Sequence, residues 1–327
     1  MRFGLVGTGY WAQITHAPAL ASTPGAELVA VWGRDQAAAA ALAVRYGATA
    51  YDDFDAFLAS VDAVAFSVPP DVQAPLAIRA AEAGRHLLLE KPVALSVADA
   101  DAVVTAVEKA GVASVVFFTW RFNRELRAWL ADEQARGGWS GSGWSGGVAV
   151  WLGTALADDS PFNTPWRQQK GALWDLGPHL VAMLWACLGP VTSVSAVPGQ
   201  GDVRHLVLQH EGGASSTMTT ALDAPEPAEG FNLFVWGAAG RSIMPATPAD
   251  PEQSLRVAAA ELMASANSGQ PNHPCDVRFG RDIVAVLAEA SAQLSVLSAF
   301  ARFPARTSTL SSGSNHARPC TYVRVSA

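Results

Sequence analysis

The chain is poor in cysteine, in charge and in long apolar runs, and each shortage removes a class of protein. Only three cysteines occur in 327 residues. Cys187, Cys275 and Cys320 are far apart and odd in number, which leaves no disulfide framework and no metal-ligand spacing. They read as packed or free thiols in a reducing compartment. The 22 lysines and arginines are outnumbered by 29 aspartates and glutamates, for a formal net charge of −7. No nucleic-acid surface is expected from that balance. The short basic piece from Arg121 to Arg127 mixes its arginines with acid and aromatics, and reads as a solvated face. No run of eighteen uninterrupted apolar residues is present, so no transmembrane helix and no membrane partner are expected. The N-terminus opens on strand-like Met1 to Val6, without a basic segment, apolar signal core or cleavage site. The expectation is a cytoplasmic protein.

What is present is apolar residue in quantity: 50% of the chain is hydrophobic and 16% charged. That composition and length suit two domains, each with its own core. From residue 1 to about 120, short apolar runs alternate with Ala-rich stretches. Phe3 to Val6, Glu27 to Val31, Val61 to Val68, Arg85 to Leu89 and Val112 to Phe118 read as strands covered on both faces. Trp11 to Ala21, Gln36 to Tyr46, Pro75 to Ala83 and Val97 to Ala110 read as helices, with Gly84 and Gly111 at C-caps and Pro18 kinking the first. The alternation predicts an α/β fold with a doubly wound parallel sheet.

The pattern changes after residue 120. Gly137 to Gly147 is rich in Gly, Ser and Trp and reads as a loop or hairpin region. Gly147 to Leu152, Val191 to Val197, Arg204 to Gln209, Ala214 to Ala221 and Phe231 to Trp236 predict a mostly antiparallel sheet. Two helices are expected with it, Ala172 to Leu188 and Val277 to Ala299. The units expected are 1–120, 121–303 and a tail, 304–327, either disordered or carrying a terminal strand near Tyr322 to Val325.

Three motifs carry chemistry. Gly7-Thr8-Gly9-Tyr10-Trp11-Ala12 follows the first strand and opens the first helix. That context suits a pyrophosphate cradle: Gly7 for the turn, Gly9 for close backbone approach, Ala12 for helix–strand packing. An ordinary glycine turn is the alternative. The second strand runs into Gly33-Arg34-Asp35. Gly33 takes the place where an acid would hold a ribose 2′-hydroxyl, and Arg34 suits a 2′-phosphate, so NADP is preferred. Asp35 keeps NAD open, or caps the next helix.

Lys91, in Glu90-Lys91-Pro92, lies at the carboxyl end of an apolar strand, where ligands bind in such sheets. An ammonium there can stabilise developing alkoxide charge; a surface lysine is the plain alternative. Asp175 and His179 are four residues apart and share a face if helical. His179 suits the role of general base, with Asp175 orienting it, raising its pKa or holding a substrate hydroxyl. Asp175 as an N-cap beside a buried, satisfied His179 is the other reading. His16, His86, His205, His210, His273 and His316 lack such partners and read as structural or exposed. No metal site is expected.

Taken together, these motifs resemble the glucose–fructose oxidoreductase, inositol dehydrogenase and MocA (Gfo/Idh/MocA) family. The resemblance rests on the glycine loop, on Glu90-Lys91-Pro92, and on Gly171-Ala172-Leu173-Trp174-Asp175-Leu176-Gly177-Pro178-His179. Val61-Asp62-Ala63-Val64 leading to Val68-Pro69-Pro70, and Trp166-Arg167, add to it, over roughly residues 1 to 300. The family implies an N-terminal Rossmann domain and a C-terminal α/β domain with a large, mostly antiparallel open sheet, through which a homodimer or homotetramer forms. It implies catalytic roles for Lys91, Asp175 and His179. It places the cofactor against Gly7, Thr8, Gly9, Tyr10, Trp11, Arg34, the Ser67, Pro69 and Pro70 loop, Gln73, Glu90, Lys91, Trp166 and Arg167. Departures are Gln73 near a usual histidine, Lys170 near a usual glycine, and the Trp/Gly-rich 137–147 segment. The reading is an NAD(P)-dependent oxidoreductase passing a hydride between nicotinamide C4 and a sugar, polyol or related hydroxy or carbonyl compound. A non-sugar substrate (imine, dihydrodiol, tetrapyrrole) and a non-catalytic NAD(P)-binding sensor are the alternatives.

Overall fold

A computed structural model describes residues 1–136, 143–238, 240–246, 250–269 and 271–301. The first half builds a six-stranded parallel sheet from β1 (Arg2–Val6), β2 (Glu27–Trp32), β3 (Thr49–Tyr51), β4 (Ala63–Phe66), β5 (His86–Glu90) and β6 (Ser114–Phe117). Their order is β3-β2-β1-β4-β5-β6. β4 and β6 are buried at every position, as strands covered on both faces must be. The order reverses direction between β1 and β4, which opens a crevice beyond their carboxyl ends. The glycine loop, Ser67 to Pro70 and Lys91 all follow strands at that edge.

The second sheet comprises β7 (Trp144–Leu152), β8 (Val191–Pro198), β9 (Arg204–His210), β10 (Ser215–Ala221), β11 (Gly230–Gly237) and β12 (Gly240–Ile243). Its order is β12-β11-β7-β10-β9-β8. The β7–β10 pair is parallel and every other pair antiparallel, so the sheet is mixed and mostly antiparallel. Burial alternates strictly along β9. One face is covered by helices Gly177–Leu188 and Val277–Ala301; the other carries exposed Val197, Val207, Trp236 and Ile243.

Several expectations change in detail. β3, with helix Phe54–Ala59 behind it, is too short to show a pattern. Helix Arg124–Ala135 includes part of the stretch read as a solvated face, and Asn123 caps it through bonds from Glu125 N and Leu126 N. Helix Pro251–Asn267 carried legible signals: Asp250 accepts from Gln253 N at 2.8 Å, Pro251 lies in the first turn, and Leu255, Ala258, Ala259 and Leu262 form its buried stripe. That helix and Val277–Ala301 return to pack on the first sheet. The first helix starts as a π-turn, Ala12–His16, and continues as Ala17–Ser22. Pro18 therefore lies inside one helical run, residues 10–22, just after the π-turn that distorts it, in keeping with the expected kink. Trp144 to Gly147 extends β7 instead of looping. Residues 137–142, the tail with its candidate strand, Cys320 and His316 lie outside the described residues.

The helix expected from Ala172 to Leu188 is two helices, Pro165–Asp175 and Gly177–Leu188. Gly171 interrupts the first with φ 68° and ψ −170°, a region open essentially to glycine alone. A Cβ there would also overlap the Asp202 carboxylate. Pro178 occupies the first turn of the second helix, and Leu176 marks the break. The stretch Pro165–Leu188 is long and apolar enough to cross a membrane by length and composition; 94% of its most apolar window is buried inside the fold. A helix apolar all round is a buried one. Replacing Gly171 with Ala is expected to destabilise the protein by about 2 kcal/mol or more. Urea unfolding measures it, and a loss under about 0.5 kcal/mol would show that the chain relaxes there freely.

Candidate active site

The glycine loop is built for backbone contact with a ligand. Gly7 has φ 119°, and a Cβ on it would overlap the Ser67 carbonyl oxygen. Around Gly9 nothing lies within 4 Å of where a Cβ would stand, so its backbone is open to the crevice. Ala12 is fully buried, which lets the helix approach the sheet. At the end of β2, Gly33 packs against Thr8, whose Cγ2 would lie 2.9 Å from a Cβ on Gly33, so a side chain there would require Thr8 to move. Asp35 is committed to the following helix, accepting from Ala38 N at 3.0 Å. Arg34 is exposed and lines the crevice.

The crevice is a cavity of about 1470 Å³ lying between the two sheets. The fingerprint end contributes Gly9, Tyr10, Trp11, Arg34, Ser67, Pro69 and Pro70; the far end contributes Glu90, Lys91, Trp166, Arg167, Asp175 and His179. Gly7 and Thr8 do not line it. Neither does Gln73, expected near the cofactor. Its side chain is fully buried, accepting from Glu90 N at 2.8 Å and reaching the carbonyls of Glu90, Pro92 and Val93 at 2.8, 3.3 and 3.3 Å. Gln73 thus shapes the turn that presents Lys91, whose peptide bond to Pro92 is cis.

Three charges meet at the far end. Lys91 Nζ donates to Asp175 Oδ1 at 2.9 Å and to the Asp175 carbonyl at 2.7 Å. Arg167 Nε donates to Asp175 Oδ2 at 2.8 Å. The Asp175 side chain is only 8% exposed. Burial pushes its carboxyl toward the neutral acid, but Lys91 and Arg167 together hold it well below the usual carboxylate range. Of the three N–H groups on Lys91, two serve Asp175. The third is left for a ligand.

His179 sits beside this cluster without a hydrogen bond to Asp175, whose carboxylate oxygens serve Lys91 and Arg167. Asp175 raises the His179 pKa by proximity, as expected, but it is outweighed. Burial lowers it well below the ordinary value, Lys91 and Arg167 push the same way, and Asp175 only partly opposes them. His179 Nδ1 is buried without a partner. The ring packs against aromatic faces, Trp120 at 5.4 Å and Trp151 at 5.9 Å between centroids. Trp120 stacks on Trp151 at 4.6 Å, and Phe231 closes the group edge-on to both. β-sheet register explains part of this: Phe231 stands opposite Trp151, on the face toward the helices. No single motif marked these three aromatics, which come from separate segments.

Glu90 has its own setting. Its Oε1 accepts from Trp11 Nε1 at 2.8 Å, and Oε2 from Lys91 N at 3.2 Å. His16, read from sequence as lacking a partner, lies with Nε2 3.4 Å from Glu90 Oε1. Burial pushes Glu90 up to about 7, against the pull of Lys91 and the Trp11 bond, and pushes His16 down to about 4. Among the described residues no cluster of three His, Cys, Asp or Glu is placed to hold a metal.

A parallel sheet with a glycine cradle at its switch point, facing a buried cation–carboxylate cluster beside a histidine, is the architecture of a Rossmann-type dinucleotide-binding protein. Residues 1–118 match the model of the oxidoreductase family with an NAD-binding Rossmann fold, and residues 146–242 match the GFO/IDH/MocA C-terminal domain. The chain belongs to the Gfo/Idh/MocA family of NAD(P)-dependent oxidoreductases. It is 30% identical over 248 residues to D-xylose 1-dehydrogenase (NADP(+)) 2 of Haloferax volcanii, covering 69% of this chain and 71% of that one. It is 38% identical over 114 residues to an uncharacterized oxidoreductase, ORF334, of Rhizobium meliloti, spanning 34% of each. The matches span about a third to three-fifths of the length of that relative and two others, 34%, 51% and 62%. Among solved structures, GenD2 from gentamicin A biosynthesis in complex with NAD shares the fold. The TM-score is 0.78 at 20% identity, over 90% of this chain and 94% of that one.

Because the folded-state pKa of Glu90 lies above its ordinary value of 4.5, its contribution to stability is present while it is protonated. That contribution is lost as pH rises from about 4.5 toward 7. Urea midpoints at pH 5 and pH 8 should therefore show the wild type losing stability relative to Glu90→Gln as pH rises. A difference flat with pH would refute the assignment.

Proposed function

We propose that the protein is a dehydrogenase or reductase acting on the CH–OH or carbonyl group of a sugar, polyol or related compound, with NADP preferred over NAD. The observation that carries this reading is the Lys91–Asp175–Arg167 cluster, closed at the strand-end crevice beside His179. A sensor needs to hold a dinucleotide; it does not need a buried cation with a spare donor next to a neutral imidazole. The likeness to a D-xylose dehydrogenase supports the sugar class.

The residues fit a dinucleotide. The Gly9 amide region and the helix start can face the pyrophosphate, and Arg34 can meet a 2′-phosphate. With glycine at position 33 and Asp35 Oδ1 used as a cap, the strand end offers no carboxylate at the place that usually holds a free ribose. When bound, the cofactor accepts or supplies the hydride. The chain handles the proton and the oxygen. Lys91 directs its third N–H at the substrate oxygen and lowers the cost of alkoxide charge. His179, kept neutral by burial, takes the hydroxyl proton in oxidation and returns it in reduction. Asp175 holds Lys91 in place and offsets the new positive charge on His179.

A second reading has its own observation. Trp120, Trp151 and Phe231 wall the crevice with aromatic faces, and Asn123, which also lines it, has its Oδ1 taken up as a helix cap. A flatter, less hydroxylated substrate suits that wall. Comparing turnover of pyranoses and polyols with that of cyclic, sparsely hydroxylated alcohols decides between the two. The bare face of the second sheet, with Val197, Val207, Trp236 and Ile243 exposed, belongs to the same proposal as the surface of a homodimer or homotetramer.

Lys91→Ala is expected to cut turnover by about 100-fold or more while NADPH binding stays within a few-fold. Near-normal turnover would remove Lys91 from the mechanism. Arg34→Ala is expected to weaken NADPH binding by about tenfold and leave NADH unchanged, on the scale of one charge-assisted hydrogen bond. Equal losses for both cofactors, read by fluorescence titration, would count against the 2′-phosphate role.

A further inference from the structure

The segment 153–164, between β7 and helix Pro165–Asp175, crosses from the second sheet to the glycine loop. It is braced on itself. Asn163 Nδ2 donates to the carbonyls of Leu156 and Ala157 at 3.2 Å each, and Phe162 N donates to Ser160 Oγ at 3.2 Å. So braced, it presents Phe162 to the fingerprint. The Phe162 ring meets Tyr10 edge-to-face at 5.5 Å and 83°, and Trp11 at 5.9 Å and 65°. All three side chains line the crevice, and Tyr10 is 47% exposed.

Each end of this bridge is tied to the charged cluster. On the fingerprint side, Trp11 Nε1 donates to Glu90, the residue before Lys91. On the other side, the Arg167 guanidinium lies 5.4 Å from the centroid of the Phe162 ring and also engages Asp175. A ring from one half therefore grips the phosphate loop of the other, and both contacts continue into Lys91–Asp175–Arg167.

We propose that Phe162 is a clasp across the dinucleotide crevice. Its contact with Tyr10 and Trp11 must part to admit the cofactor, and when it re-forms it retards the cofactor's release and holds the two halves of the charged cluster in register. Phe162 is thus a positioning residue, acting through Tyr10, Trp11 and Arg167. The inference rests on the dinucleotide reading above and concerns how the ligand is retained, not whether it binds.

The test is stopped-flow binding and release of NADPH by the full chain, read by energy transfer from tryptophan to the reduced nicotinamide. Phe162→Ala is expected to speed release by about tenfold, the scale of one to two edge-to-face aromatic pairs, and to speed association as well. Phe162→Tyr, which keeps the ring, is expected to stay within twofold of wild type. In a double-mutant cycle, Phe162→Leu and Tyr10→Leu should be non-additive in the release rate. A merely structural role would slow or leave association instead of speeding it. Release unchanged within twofold in Phe162→Ala, or strict additivity in the cycle, overturns the clasp while leaving the cofactor reading intact. Failure of the wild type to bind NADPH or NADH removes the cofactor reading itself, and the clasp with it.

Discussion

The structure depends on one buried carboxylate. Asp175 is withdrawn from water at the meeting of the two sheets, where burial alone would favour its neutral form. It stays ionised because Lys91 arrives from the first sheet and Arg167 from the helix Asp175 itself ends, one on each oxygen. Removing either partner of a buried pair leaves an uncompensated charge, which typically costs about 3–5 kcal/mol. Both halves must therefore sit where they do for any of the three groups to be tolerated. The same contacts that join the halves also aim the Lys91 ammonium into the crevice.

The backbone around the cluster is arranged to permit this. Gln73, fully buried, satisfies the polar groups of the turn from Glu90 to Val93; otherwise they would be costly orphans next to a buried charge. Gly171 breaks the helix so that Ala172 N can be capped by Asp202 at 2.7 Å. The short turn after that break places Asp175 against Lys91. Pro178 then starts a new helix on which His179 occupies the first turn. Strong local signals, a proline and a glycine, thus carry most of the geometry.

His179 differs from a histidine oriented by a carboxylate. Its Nδ1 has no partner, its ring is held by Trp120 and Trp151, and two neighbouring cations disfavour its charged form. Burial and those cations favour the neutral imidazole, which suits the proton-accepting role proposed for it. Lys91 bonds Asp175 directly, while His179 feels it only through its charge.

The glycine loop, the apolar strand ahead of Lys91 and the four-residue spacing of Asp175 and His179 were legible in the sequence because each is local: a turn, a strand end, a helix start. So were the parallel sheet and the helices with cap signals. Asp250-Pro251 was just as legible and marks a helix read from sequence as none. What sequence could not assign was partnership. Which cation takes which oxygen of Asp175, that Gln73 faces inward, that His16 lies beside Glu90, and that Trp120, Trp151 and Phe231 form one wall all depend on residues from separate elements meeting in space. Local spacing determines which groups a segment offers; only the packing of the two sheets decides their distance and their burial. The ionisation of Asp175, Glu90 and His179 follows from that distance and burial.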